Sequence, residues 1–116
     1  MSTLSTHVLD TALGCPAQGI RVTLERAGAL LGSGVTDVDG RIRDWRADDP
    51  ASHPTRPPFE TGSYRLAFHV AEYFAATARE SFYEIITIDF RIARESEHYH
   101  VPLLLNPFGY STYRGS

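Results

Sequence analysis

Four groups of residues in this chain have the types and spacing to do chemistry: His98 and His100 in His-Tyr-His, His7 near the start, Arg41 just after Asp39-Gly40, and Tyr113-Arg114-Gly115-Ser116 at the end. An imidazole titrates near pH 6.5, so it can take a proton from water near neutrality and return it to a leaving group. Arginine adds a permanent, forked cation suited to carbonyls and developing oxyanions. A chain terminus normally frays. This one carries an aromatic, a cation, a glycine and a hydroxyl directly after Tyr110-Ser111-Thr112, residues suited to a strand, so the sequence predicts an ordered, ligand-facing end.

Other chemistries find less support. A His-x-His pair is a fragment of a zinc site, but a hydrolytic zinc needs a third protein ligand with its own orienting shell, and no metal is assigned. Asp37-Val38-Asp39-Gly40-Arg41 shares the opening of a calcium-binding loop but lacks the remaining oxygen ligands and the closing Glu. It reads instead as a hairpin turn that delivers an exposed Arg41. Glu95 and Glu97, beside Arg94, read as a solvated approach to a strand rather than a catalytic carboxylate pair. All eleven basic residues are arginine, which removes Schiff-base and P-loop lysine mechanisms. Neither a nucleophile elbow nor a glycine-rich phosphate loop is present.

These residues must be positioned by strands, because alternation with period two dominates the chain. It is clearest over 84–93, where Ile86, Ile88, Phe90 and Ile92 share one face and Thr87, Asp89 and Arg91 the other. Tyr64, Leu66, Phe68 and Val70 repeat it, as do Ile20, Val22 and Leu24. Further extended segments are expected over 4–10, 35–36 with 41–43, 98–105 and 110–114. Turn signals at Leu13-Gly14-Cys15-Pro16, Asp39-Gly40 and Asn106-Pro107 separate them. Seven or eight short strands make an all-β sandwich, with one short helix over 71–79 expected to cap one end. The proline-rich stretch 46–61 reads as a surface loop.

In the strand 98–105, Tyr99, Val101, Leu103 and Leu105 form a uniformly apolar core side. His98, His100, Pro102 and Leu104 therefore point outward. Similarly, Leu4, Thr6 and Val8 face the core, while Ser5, His7 and Leu9 face away. An outer face carrying His7, Leu9, His100, Pro102 and Leu104 is too apolar for open solvent, so a subunit interface or ligand channel is predicted.

A chain of 116 residues at 42% hydrophobic content fits one domain spanning 1–116 and folds without disulfides. Its net charge of -3 and the absence of a basic block argue against nucleic acid or an anionic membrane as partner. The lone Cys15 reads as a half-buried structural thiol. The N-terminus lacks a signal peptide's basic and apolar regions, and no apolar run approaches the length of about 18 residues that a span requires. Gly115-Ser116 is not a peroxisomal address. A soluble, cytoplasmic protein is expected.

Taken together, Leu4-Ser5-Thr6-His7-Val8-Leu9-Asp10, Gly14-Cys15-Pro16-Ala17, Asp39-Gly40-Arg41, the run from His98 to Leu105 and Tyr110-Ser111-Thr112-Tyr113-Arg114-Gly115-Ser116 resemble the transthyretin-like 5-hydroxyisourate hydrolases of urate breakdown. The resemblance covers nearly the whole chain, departing mainly in the longer, proline-rich loop 47–61. It implies a transthyretin-like β-sandwich of two four-stranded sheets, assembled as a homotetramer, a dimer of dimers, with active sites in a channel between dimers. It also implies catalytic roles for His7, Arg41, His100 and Ser116, substrate contacts from Tyr113, Arg114, Gly115, Ser111 and His98, and no cofactor.

The expected reaction is hydrolysis of 5-hydroxyisourate to 2-oxo-4-hydroxy-4-carboxy-5-ureidoimidazoline. Opening such a ring needs an activated water, a stabilised oxyanion and a proton for the leaving nitrogen. Two histidines and an arginine can supply all three, and the sequence does not decide which histidine is base and which is acid. A non-catalytic ligand-binding protein of the transthyretin type is the alternative, although it would need neither the histidine pair nor Arg41. A purely structural sandwich would instead expect a charged outer strand face and a disposable terminus.

Overall fold

The computed structural model describes residues 3–47 and 59–116. Ten strands and one helix follow in order: β1 (Thr3–Asp10), β2 (Cys15–Pro16), β3 (Arg21–Arg26), β4 (Ala29–Val35), β5 (Arg41–Ile42), β6 (Arg46–Ala47), β7 (Gly62–Phe68), α1 (Val70–Ala76), β8 (Ile86–Ile92), β9 (His98–Asn106) and β10 (Gly109–Thr112). They form two sheets. One runs β10-β9-β1-β2, with β5 also paired to β1, and the other runs β6-β4-β3-β7-β8. The expected sandwich with one short helix is present, but among the described residues each sheet has five strands rather than four. Three of the ten, β2, β5 and β6, are only two residues long, and each adds two registered pairs to a longer neighbour.

Period two held because one face of each long strand is buried. Leu4, Thr6 and Val8 are buried on β1, and Tyr99, Val101, Leu103 and Leu105 on β9. Leu66 and Phe68 on β7 meet Ile86, Ile88 and Ile92 on β8 in the same core. Thr6 satisfies its buried hydroxyl by donating to the Val101 carbonyl at 2.6 Å.

Local composition misled at β4, where only the end near Val35 was expected. Gly32-Ser33-Gly34 looks like a turn, yet it lies in a strand. A Cβ on Gly34 would sit 2.8 Å from Ile42 Cγ2, so the strand needs a residue without a side chain at that point. The β3–β4 turn places Ala27 and Gly28 at φ 52° and 79°, the paired positive angles of a tight hairpin. The stretch 46–61 is not loop throughout. Arg46–Ala47 pairs with β4, and Phe59 is buried in the core. Its proline-rich interior, 48–58, lies outside the described residues.

The helix starts at Val70, which the sequence assigned to the preceding strand, and ends before Thr77. Ala78 turns left-handed at φ 57°. The Ala78 and Arg79 amides donate to the Ala75 and Phe74 carbonyls, the reciprocal pair of a Schellman stop. That stop aims Arg79 back at Asp10, the last residue of β1. Asp10 is fully buried and accepts from Arg79 Nη2 at 2.6 Å and from Tyr73 Oη at 2.7 Å. Burial alone would raise its pKa, but the Arg79 and Tyr73 hydrogen bonds outweigh it and hold the carboxyl below its ordinary range. Burial and Asp10 together push Tyr73 up to about 12. Removing Arg79 would leave a buried carboxylate without its countercharge, a loss of about 3–5 kcal/mol in such pairs. This network locks the end of the strand that carries His7.

Candidate active site

The site begins with a pairing that no local signal encodes: β1 and β9 run parallel, with Thr3 opposite His98, Ser5 opposite His100, His7 opposite Pro102 and Leu9 opposite Leu104. Residues opposite one another share a face. The outward residues of both strands therefore merge into one surface. The His7 and His100 rings lie 6.5 Å apart between centroids, tilted by 33°. At that separation a water or substrate atom, rather than a direct bond, has to connect them.

Arg41 joins from β5, registered opposite His7. The turn before it is tied by Asp37, whose Oδ1 accepts the Asp39 and Arg41 amides at 2.9 and 3.0 Å. Gly40 is essential there. Its φ is +75°, and a Cβ would meet the Val8 carbonyl at 2.4 Å, so only glycine lets the turn dock against β1. The expected hairpin turn is therefore correct, and Arg41 is half-buried rather than exposed. Trp45 reinforces the docking by donating its indole N–H to the Leu4 carbonyl at 3.1 Å.

The terminus closes over the imidazoles. Gly115 donates its amide to the His100 carbonyl at 2.8 Å, an isolated bridge beyond the end of β10. A Cβ on Gly115 would fall 2.4 Å from His100 Cδ2, which explains a glycine between two side-chain-bearing residues. Ser111, opposite Leu104, lies on the same outward face. Tyr113 is largely exposed, and Ser116, also exposed, follows Gly115 directly.

Arg114 is not brought to the imidazoles. Its guanidinium stacks 4.5 Å above the Tyr99 ring, on the opposite side of β9, and reaches Glu97 at 3.4 Å. Glu97, read from sequence as merely solvated, thus holds the tail as well as Arg94. Cys15 is exposed rather than half-buried, because it sits on the short strand β2 at the sheet edge.

Burial, then the nearby Arg41 charge, lower the pKa of both His7 and His100. His98 and His7 add to the effect on His100, while the Asp39 backbone and the Asp37 and Asp39 carboxylates partly oppose it on His7. Both rings are therefore neutral near pH 7, the state a general base requires. Among the described residues, no three His, Cys, Asp or Glu side chains are grouped as a metal site requires, and no helix is long and apolar enough to cross a membrane.

A model of the HIUase/Transthyretin family matches residues 4–115. The chain belongs to this family. It is 45% identical over 121 residues to 5-hydroxyisourate hydrolase 2 of Rhizobium meliloti, covering 97% of this chain and 95% of that protein. The solved 5-hydroxyisourate hydrolase of Klebsiella pneumoniae superposes with a TM-score of 0.83 at 41% identity, each chain fully covered. A sea bream transthyretin in complex with thyroxine superposes at 0.82 with 28% identity, covering 97% of this chain and 94% of that one.

One residue of this family member's site escaped the sequence reading. Ser5, placed on the outward face but given no role, is 8% exposed and bonds two imidazoles. Its only local signal was its position two residues before His7.

Proposed function

We propose that this chain, acting as one domain over 1–116, hydrolyses 5-hydroxyisourate to 2-oxo-4-hydroxy-4-carboxy-5-ureidoimidazoline. The observation that carries this reading is the convergence of His7, His100 and Arg41 on one outward surface beneath the C-terminal tail. Water is activated by one neutral imidazole, while the other delivers a proton to the leaving ring nitrogen. Arg41 supplies the charge that meets the oxyanion as the carbonyl is attacked.

The lowered imidazole pKa values suit the base, which need lose no proton before it acts, while the other ring gives its neutral N–H to the nitrogen and is reprotonated by the carboxylic acid formed. Tyr113, Gly115, Ser116 and Ser111 line the substrate from above, with Ser116 acting on the reacting atoms. Arg114 reaches the substrate by leaving Glu97, an exposed contact that costs little to break. His98 is a neighbour within the substrate pocket. No cofactor takes part.

The apolar remainder of this face, the half-buried Leu9 and Leu104, supports burial between subunits, in a homotetramer built as a dimer of dimers, whereas Pro102 is already buried within the chain. The setting is the cytoplasm. A ligand-carrying role finds support in the thyroxine-bound sea bream relative, but gives two facing imidazoles nothing to do.

The test follows the absorbance decay of freshly made 5-hydroxyisourate. Acceleration by the chain, lost when the last four residues are removed, is expected. Decay at the spontaneous rate with intact, folded protein would overturn the reading in favour of ligand carriage.

A further inference from the structure

Behind His100 runs a chain of hydrogen bonds that the two-histidine scheme does not use. Ser5 Oγ lies 2.7 Å from His100 Nδ1 and 2.9 Å from His98 Nε2. Thr3 Oγ1 meets the other nitrogen, His98 Nδ1. Ser5 is buried and His98 exposed, so the chain leads from the covered ring to the solvent.

A hydroxyl has one proton to donate, and so does a neutral imidazole. The three contacts can all run in one direction, inward or outward, and Ser5 Oγ can also accept from both rings, with its own proton turned elsewhere. When donors point inward, from Thr3 toward His100, His100 Nδ1 accepts and Nε2 carries the ring proton. When they point outward, Nδ1 donates to Ser5 and Nε2 presents a lone pair. The bond made by one nitrogen thus sets the role of the other.

We propose that Ser5 is a positioning residue that holds His100 as the Nδ1–H tautomer, and that Ser5 and His98 carry to solvent the proton His100 takes from water. This rests on the hydrolysis reading. Ring opening adds hydroxyl to the acyl carbon and hydrogen to the nitrogen, and the acid formed ionises at neutral pH, so one proton leaves the site per turnover. As a water O–H breaks, His100 Nε2 gains its proton and Nδ1 passes one to Ser5 Oγ. Ser5 in turn passes its own to His98 Nε2. The His98 imidazolium then loses its Nδ1 proton at the exposed end, past Thr3, which leaves the chain pointing inward with His100 as Nε2–H, and tautomer exchange through water turns it outward again before the next turnover. No oxidant or cofactor is needed. The titratable and charged groups around His100 are His7 from β1, Arg41 from β5 and His98 on its own strand, all of which disfavour a second proton on its ring.

Two measurements test this, one independent of turnover. Long-range ¹H–¹⁵N spectra should show His100 as Nδ1–H in the wild-type chain and in Ser5→Thr, and reverting toward Nε2–H in Ser5→Ala. Kinetically, Ser5→Ala should lose about 10- to 100-fold in kcat, the size of effect seen when the partner that orients a metal-bound histidine is removed, with KM nearly unchanged. Ser5→Thr should recover most of that loss. His98→Ala should slow turnover in dilute buffer and recover with added imidazole. An unchanged tautomer and pH profile in Ser5→Ala would overturn the positioning role, and an unimpaired His98→Ala would overturn the relay. If wild-type chain fails to turn over, the hydrolysis reading falls, while the spectra still decide Ser5.

Discussion

The two sheets treat their outer faces differently. On the β7–β8 side, two of the cations are matched: Arg65 forks onto Asp89 at 2.7 Å, its registered partner across the strands, and Arg21 meets Glu72 at 2.8 Å, while Arg91 is in no ion pair among the described residues. On the β1–β9 side, His7, His98, His100 and Arg41 gather, and among the described residues none of them is in an ion pair. One face pairs most of its charges with each other. The other leaves an unneutralised guanidinium beside two rings held neutral, an arrangement that favours whatever brings carbonyl oxygen or negative charge to it.

That contrast can be broken first at the imidazoles. His7→Ala and His100→Ala should each lower turnover of 5-hydroxyisourate by at least about 100-fold, the effect of losing a proton-transfer group, with circular dichroism unchanged. Near wild-type rates for both would erase the functional distinction between the faces. Arg41→Gln comes next, at roughly 100-fold in kcat, the lower end for removal of an oxyanion donor.

Arg41→Gln also has a pH signature. Burial, and after it Arg41, hold the imidazoles below their ordinary 6.5, so wild-type rate should persist to lower pH before the base is protonated. Removing the cation should move that acidic limb upward, toward pH 6.5. A limb that stays in place would show that Arg41 does not act on the rings electrostatically.

Gly115→Ala is smaller and sharper. The added methyl would overlap His100 Cδ2, so either the ring or the tail must move. A loss of about tenfold in kcat is expected, since modest misplacement of reacting groups reaches up to 100-fold, with little change in melting temperature. At the bottom of the series, Arg65→Ala on the matched face should leave turnover unaffected, because exposed ion pairs contribute little. A large effect there would mean that both faces serve the reaction.

Legibility from the sequence divides along physical lines. Alternation fixed which side chains of β1, β8 and β9 face the core, because a slip of one residue would expose every apolar group at once. It failed at β4, where Gly32 and Gly34 carry no alternation and their presence answers to Ile42 on another strand. It missed the destination of Arg114, since a long side chain near an edge can turn to either side of the strand. The role of Ser5 was invisible for a related reason: its partners lie 93 and 95 positions away.

What the amino-acid order determined by itself was a set of strands with known inner and outer faces, the glycine turn before Arg41, and an end too chemically specific to be a tail. Only the tertiary structure decided that β1 lies parallel to β9, with Ser5 beside His100, and that Gly115 settles against that ring. Period two says which way a side chain points, but the choice of neighbour, direction and register between distant strands belongs to the packing of the whole core.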